Sequence, residues 1–297
     1  MILRILGSAA GGGVPQWNCA CGNCAAARTG KAPRRTQSGA AVSADGNRWI
    51  LLNCSPDIGA QIEAYDALLP KAVRETPIDG MLLTDANVDH IGGLAVLRQS
   101  GTHRFVVRSS AVVRDIATAQ PAFAPFAAPP HRWIVSTARC EPADGDDEVG
   151  RTLNVRAFAV AGTTPGYAGR RFESGAVTAY EITAPNHNER ILFAPVFADI
   201  DDALAEAIDR ATVAILDGTF FSGDELREQG LMDKSARDLG HLPAGGPGGT
   251  LERLGRKRTR IVFTHLNNSN PMLDPDSDAA AAVRAAGAEI AYDGMMV

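Results

Sequence analysis

The feature that most narrows what this chain can fold into is where its polar residues fall. Short apolar runs recur along the sequence, and several stop on residues able to hold a proton or a cation. Residues 78–84 run into Asp85-Ala86-Asn87-Val88-Asp89-His90, residues 212–216 into Asp217-Gly218, and residues 260–264 into His265. α/β proteins build their sites just beyond the C-terminal ends of strands, where loops converge over a sheet edge. Further strands are expected at 1–6, 40–44, 49–54, 105–108, 133–135, 153–160, 177–182, 191–197 and 289–292, with Asp45-Gly46-Asn47 as a hairpin signal. Helices are expected after Ser55-Pro56-Asp57, with Ser55 as N-cap and Pro56 in the first helical position, from Gly92-Gly93 through Gln99, over 199–210 and over 276–287. Each half runs through strands into helices and no linker divides them. The expected fold class is therefore α/β (α+β), a sandwich of two mixed sheets flanked by helices, forming one domain over 1–297.

Composition mainly excludes. The chain has 297 residues, 45% of them apolar, and a net charge of -5. That is ordinary for a globular protein, and the absence of a long basic run argues against a nucleic-acid partner. Arg34-Arg35 and Arg256-Lys257-Arg258 read as solvated faces. No run reaches the ~18 apolar residues of a membrane span, and the opening MILRILGSAAGGG lacks the apolar core of a signal peptide, so a cytoplasmic protein is expected. Asp144–Glu148 reads as an exposed acidic loop, and His103, His131 and His187 as structural or exposed.

Of five cysteines, three crowd into Cys19, Cys21 and Cys24. In a reducing compartment such spacing points to thiolates around one structural Zn(II), a Cys-rich loop at 19–24 whose fourth ligand comes from elsewhere. Cys54 and Cys140 read as ordinary buried or half-buried residues.

The segment D-A-N-V-D-H followed by two glycines resembles the metallo-β-lactamase signature H-x-H-x-D-H. That resemblance implies a four-layer αββα fold and two adjacent metal positions. Asp85 and Asn87 stand where the first two histidines would, Thr163 stands where a third would, and residues 192–196 lack the expected bridging Asp. The first position is thus depleted, whereas Asp89, His90 and His265 keep a carboxylate and two imidazoles for the second. Such a set leaves open positions, as in non-haem Fe(II) oxygenases, although zinc also accepts these donors. Asp217 and His241 are further candidates as ligands or acid–base groups, and Asp85 and Asn87 as hydrogen-bonding partners of ligands or substrate. Each has a plainer reading: Asp89 as a helix cap, His265 as a core histidine, Asp217 as a turn residue, His241 as surface.

Longer strings carry a closer resemblance: G-S-A-A-G-G-G-V-P-Q-W-N-C from Gly7, L-L-N-C-S-P-D-I from Leu51, T-D-A-N-V-D-H-I-G-G-L from Thr84, D-G-T-F from Asp217, G-H-L-P from Gly240 and F-T-H-L-N-N-S-N-P from Phe263. Through them the chain resembles the pyrroloquinoline quinone biosynthesis protein B family. That resemblance implies a role in making the quinone from a Glu and a Tyr of a precursor peptide; making a quinone of a tyrosine ring requires added ring oxygens, and Fe(II) held by Asp89, His90 and His265 suits an O2-dependent hydroxylation of that ring. It also implies a competing role as a carrier passing the quinone or its precursor toward the periplasm; the surviving metal position offers a second alternative, a single-zinc hydrolase, which the depleted first position disfavours. Among superfamily phosphodiesterases a similar three-Cys cluster is closed by a residue shortly after the last active-site histidine; Asn267 and Asn268 occupy that stretch here. Whether the chain forms a homodimer is left open.

Overall fold

The computed structural model describes residues 1–101, 103–136 and 153–297. Among the described residues twelve strands form two six-stranded sheets: β1 (Ile2–Gly7), β2 (Gly39–Ser43), β3 (Trp49–Leu52), β4 (Ile78–Leu82), β5 (Val106–Ser109) and β6 (Arg132–Val135) in one, β7 (Asn154–Val160), β8 (Val177–Thr183), β9 (Ile191–Ala194), β10 (Val213–Asp217), β11 (Arg260–Thr264) and β12 (Glu289–Ile290) in the other. Neighbours in each sheet are neighbours in sequence. The two sheets share one pattern, two antiparallel pairings followed by three parallel ones. This is the metallo-β-lactamase fold.

Alternation along the strands sorts side chains into layers. Leu3, Ile5, Val42, Ile50 and Leu82 of the first sheet meet Val155, Tyr180, Ile182, Phe193 and Ile215 of the second in one core. The opposite faces are covered by helices. Trp49, Leu51, Met81 and Val107 pack with Ile58, Val113 and Ala117, while Leu192, Ala214, Leu216 and Phe263 pack with Leu204, Ile208 and Val283. Burying each such side chain contributes roughly 1.5–3 kcal/mol, which is why the period-2 pattern fixes the layers. Among the described residues, no helix is long and apolar enough to cross a membrane.

Several expected boundaries moved, each for a local reason. The helix after Ser55 runs over Ile58–Glu63 with Asp57 at the N-cap position, not Ser55. The Asp57 carboxylate is already engaged by Gln37, whose backbone N and Nε2 both donate to its Oδ2. Past His90 the helix is split into Val88–Ile91 and Leu94–Leu97 by the two glycines. A Cβ on Gly93 would lie 2.3 Å from the Ser55 carbonyl oxygen and 2.7 Å from Cys54 Sγ, so only glycine lets this turn dock on the 54–55 backbone. The helices expected from 199 and 276 begin at Asp202 and Asp278, where Asp201 and Ser277 cap them by accepting from Leu204 N and Ala280 N. Arg35, read as solvated, turns inward to donate to Ser8 Oγ and the Ala291 carbonyl oxygen. The expected acidic loop Asp144–Glu148 and Cys140 lie outside the described residues.

Tyr180 joins the sheets at the edge that matters. Its Oη donates to the Leu83 carbonyl oxygen at 2.8 Å, and Thr178 N donates to that of Thr84 at 2.8 Å. The C-terminal ends of β4, β10 and β11 thereby share one rim of the sandwich.

Candidate metal centre

Asp85 and Asn87 arrive on the turn after β4, and Asp89 and His90 on the short helix Val88–Ile91 that follows it. Asp217 ends β10, and His265 follows β11, whose Thr264 is the register partner of Asp217. Asp89, His90 and His265 each present one donor atom within 4.8 Å of the others, and Asp217, His241 and His265 form a second such group sharing His265. His265 adopts φ 61°, a left-handed conformation costly for a non-glycine residue and one that concentrates at functional sites. Its backbone neighbours hold it there: Gly218 N donates to the Thr264 carbonyl oxygen, and Leu266 N to that of Ser8, both at 2.8 Å.

The partners of each ring are specific. His90 Nδ1 lies 2.6 Å from Asp85 Oδ2, while Asp85 Oδ1 accepts from Asn87 N at 2.9 Å and Nδ2 at 2.8 Å. Asp85 also accepts from Thr84 Oγ1 at 2.8 Å, so the carboxylate that orients His90 is itself held. His265 Nε2 lies 3.1 Å from Asp89 Oδ2, and its Nδ1 lies 2.7 Å from Thr219 Oγ1. Thr219 donates to Asp217 Oδ1 at 2.6 Å, and Asp217 Oδ2 lies 2.8 Å from His241 Nδ1. Thr219, within the D-G-T-F string but not singled out from sequence, thus joins both imidazoles to the buried Asp217.

Four expectations meet the structure here. Asp89 does not cap its helix; Asn87 stands at the N-cap, without a side-chain cap bond. The bridging carboxylate sought at 192–196 is absent because those residues are β9 and its exit, and the buried carboxylate beside His265 comes one strand later, as Asp217. Thr163 lines the same cavity as His241. His103 and His131 are structural: His103 Nε2 meets the Ile78 carbonyl oxygen, and His131 stacks on Phe126 and accepts from Phe105 N.

The buried donor set fits a cation. His90 Nε2 is buried without a hydrogen-bond partner, its closest acid being Asp89 Oδ2 at 3.9 Å. A buried nitrogen left unpaired is costly unless something satisfies it. In the metal-free arrangement burial pushes the His90 imidazolium down, but the charges of Asp85 and Asp89 more than reverse this and hold it at about 9. Asp89 and Asp217 go the other way: burial raises them, and the adjacent histidines pull both below the usual carboxylate range. Beside these groups opens a cavity of 320 Å³ lined by Gly11, Asn87, Asp89, Thr163, Arg170, Thr219, Phe220, His241, His265 and Asn267 among others.

The three cysteines form a separate cluster with ligand atoms within 4.8 Å of one another. It is not an open loop: Cys24 is buried on the helix Gly22–Arg28, and Arg28 ties down the Cys19 carbonyl. Backbone N–H groups of Gln16 and Cys21 point at Cys24 Sγ and Cys19 Sγ, at 3.3 Å and 3.5 Å. Of the two asparagines in question, the side chain of Asn268 sits 3.1 Å, 3.6 Å and 3.4 Å from the sulfurs of Cys19, Cys21 and Cys24, while Asn267 lines the cavity. Burial raises Cys24 to about 11 in the metal-free cluster; for Cys21 burial is outweighed by the hydrogen bonds of Cys24 and Cys19, and its thiol is lowered. Cys54 is buried, as expected.

Fold and rim together define a member of the β-lactamase superfamily. A family model described as "Beta-lactamase superfamily domain" matches residues 48–266. Within that class the chain belongs to the coenzyme PQQ synthesis protein B family. It is 38% identical to the "Coenzyme PQQ synthesis protein B" of Methylococcus capsulatus, over 100% of this chain and 99% of the relative. The protein of the same name from Methylobacillus flagellatus is 38% identical over 99% of each. A crystal structure of Zn(2+)-bound PqqB from Methylobacterium extorquens is 34% identical with a TM-score of 0.91, covering 100% of this chain and 99% of that one. A diphosphatase of the PhnP family, 17% identical over 100% and 96% with a TM-score of 0.67, shares the fold.

Proposed function

We propose that this protein acts in pyrroloquinoline quinone biosynthesis as an Fe(II)- and O2-dependent hydroxylase of the tyrosine ring in a small Glu-Tyr-derived precursor. Its relatives carry the name of that pathway. The observation that carries the reading is the unpartnered, buried His90 Nε2 facing Asp89 and His265. One carboxylate and two imidazoles leave positions free for substrate and dioxygen. Bound Fe(II) supplies the one-electron chemistry that lets dioxygen oxidise a phenol ring. One oxygen atom enters the ring and the other leaves as water, with two electrons from an external reductant.

The chain's own residues hold and orient. Asp89, His90 and His265 would bind the ion. Asp85 fixes the His90 ring through Nδ1, and Thr219 fixes His265 in the same way, as outer partners of metal-bound histidines do. Asp217 engages His241 Nδ1, which leaves His241 Nε2 to take the phenol proton. Asn87 braces Asp85 at the edge of the cavity. In the second cluster Cys19, Cys21 and Cys24 would hold structural Zn(II), with Asn268 as fourth ligand through Oδ1 after an amide flip. The oxygen and nitrogen of an asparagine exchange by that rotation.

The test is reconstitution with Fe(II) without air, addition of Glu-Tyr dipeptide and a reductant, and admission of oxygen. The expected product has gained one oxygen atom on the ring. Binding of the finished quinone without any oxygenation would establish a carrier instead, and turnover of a peptide with zinc in the absence of oxygen would establish a hydrolase.

A further inference from the structure

The cavity beside Asp89 and His265 has one feature that metal binding does not use. Arg170 is the only Lys or Arg among the described residues lining it. Its Nη1 donates to the Leu239 carbonyl oxygen at 2.8 Å, and among the described residues it makes no ion pair. The next residue contrasts with it: Arg171 is paired with Glu173 at 2.6 Å. A guanidinium carries five donors, so a single carbonyl leaves most of its hydrogen-bonding capacity unspent.

Arg170 is also held in place. It rides on the hairpin loop between Thr163 and Phe172, which bridge to each other. Thr164 Oγ1 accepts from Arg171 N at 3.1 Å and donates to the Gly169 carbonyl oxygen at 2.8 Å, closing the loop on itself. On one side Tyr167 Oη donates to the Ala86 carbonyl oxygen at 2.5 Å, pinning the loop to the turn that carries Asp85 and His90. On the other, Arg170 reaches the loop that carries His241. The hairpin therefore spans the cavity from the Asp85–His90 turn to the His241 loop, with an unpaired cation on it.

We infer that Arg170 is the substrate-anchoring residue of this site and that it binds a carboxylate of the substrate by charge-assisted hydrogen bonds. The inference rests on the proposed Glu-Tyr-type substrate and adds its recognition: the metal side of the cavity receives the phenol ring and the hairpin side an anionic end. Two carboxylates of such a substrate share this chemistry, the C-terminal one and that of the Glu side chain, and analogues separate them.

The experiment is calorimetric titration of the Fe(II)-loaded protein without oxygen, so that binding is read without turnover. The probes are Glu-Tyr, its C-terminal amide and Gln-Tyr, against the wild type, Arg170→Gln and Arg170→Lys. One of the two neutralised analogues should bind the wild type weaker than Glu-Tyr by roughly tenfold or more, the scale of a hydrogen bond to a charged group. Arg170→Gln should lose the same factor on Glu-Tyr and no longer distinguish it from that analogue, and Arg170→Lys should keep part of the discrimination. If the wild type binds both analogues as well as Glu-Tyr, or Arg170→Gln preserves the ratio while weakening all three equally, Arg170 is only a tether for the His241 loop and the inference is overturned. In that case oxygenation of Glu-Tyr can still stand. Failure of the wild type to bind Glu-Tyr at all overturns the substrate reading and this inference with it.

Discussion

One ring nitrogen of His90 is committed to Asp85, and the other, buried without a partner, would meet the ion of the proposed centre. Asp85 should therefore matter to a metal it never touches. Replacing it by asparagine keeps the volume but removes the charge that holds Nδ1–H, and the expected loss in ion affinity is about 10- to 100-fold. Competition with a chromophoric chelator measures it; unchanged affinity would mean that Asp85 does not orient His90. At this scale the sequence was generous with identities and sparing with pairings. D-A-N-V-D-H named all the candidates on that turn, but nothing in the string says that Asp85 reaches His90, five residues on, because that contact depends on how the turn leaves β4. Thr219 was hidden for a different reason: a threonine has no ligand signature, and its role exists only once β10 and β11 lie side by side.

The loop from His265 to Asn270 ties several sites together. His265 faces the active-site cluster, Asn267 the cavity and Asn268 the cysteine sulfurs, while Asn270 donates to the Gly218 and Thr219 carbonyl oxygens. Asn23, on the cysteine helix, donates to the carbonyl oxygens of Asn268 and Asn270, each at 3.0 Å. Losing Zn(II) from the cysteine cluster should loosen this loop and weaken the ion at His265. Asn268→Ala is expected to lower active-site ion affinity by roughly fivefold or more, a typical coupling free energy between sites, and by linkage an active-site ion should tighten zinc. Metal titrations of the two sites, each with the other filled and empty, check both directions; independence in both would sink the coupling. Glu225 braces the same loop from below. It is buried, accepts from Ser269 Oγ at 2.5 Å and from Phe221 N at 2.8 Å, and burial lifts its carboxyl to about 7 despite those donors, with the charge of Glu228 adding to the lift. Because the folded value lies above the ordinary one, the native state binds the extra proton. Its stability contribution is full below the unfolded carboxyl value and is lost as pH rises through about 7. Glu225 should thus contribute a fall in melting temperature that runs from about pH 4.5 to about pH 7, and Glu225→Gln, which cannot ionise, should remove that contribution and make the wild-type-minus-variant difference level off above it. An unaltered slope in the variant would show that the carboxyl titrates elsewhere. None of this bracing was legible beforehand, since Glu225 sits in a short helix whose sequence carries no motif.

Taken whole, the molecule repeats one plan twice, and this was the most legible part. Short apolar runs located the strands of the described residues, and their polar endings located the rim, because both follow from local residue order. The cavity was not legible, since it depends on a hairpin at 163–172 and a loop at 239–241 that meet only after both sheets close. The same closure makes a prediction for stability. Asp89 and His90 follow a strand of the first sheet and His265 a strand of the second, so a cation held by these three would cross-link the two halves. A ligand that binds only the folded state at about 100 times its dissociation constant stabilises by about 2.7 kcal/mol. For a unit of this size that corresponds to roughly 5 °C in melting temperature. Anaerobic Fe(II) should produce such an upward shift as one transition if the two sheets form one cooperative unit, and His90→Ala should abolish it while retaining the fold by circular dichroism. Two separate transitions, with only one responding to the ion, would show instead that the halves unfold independently and that the cation is held by one of them alone.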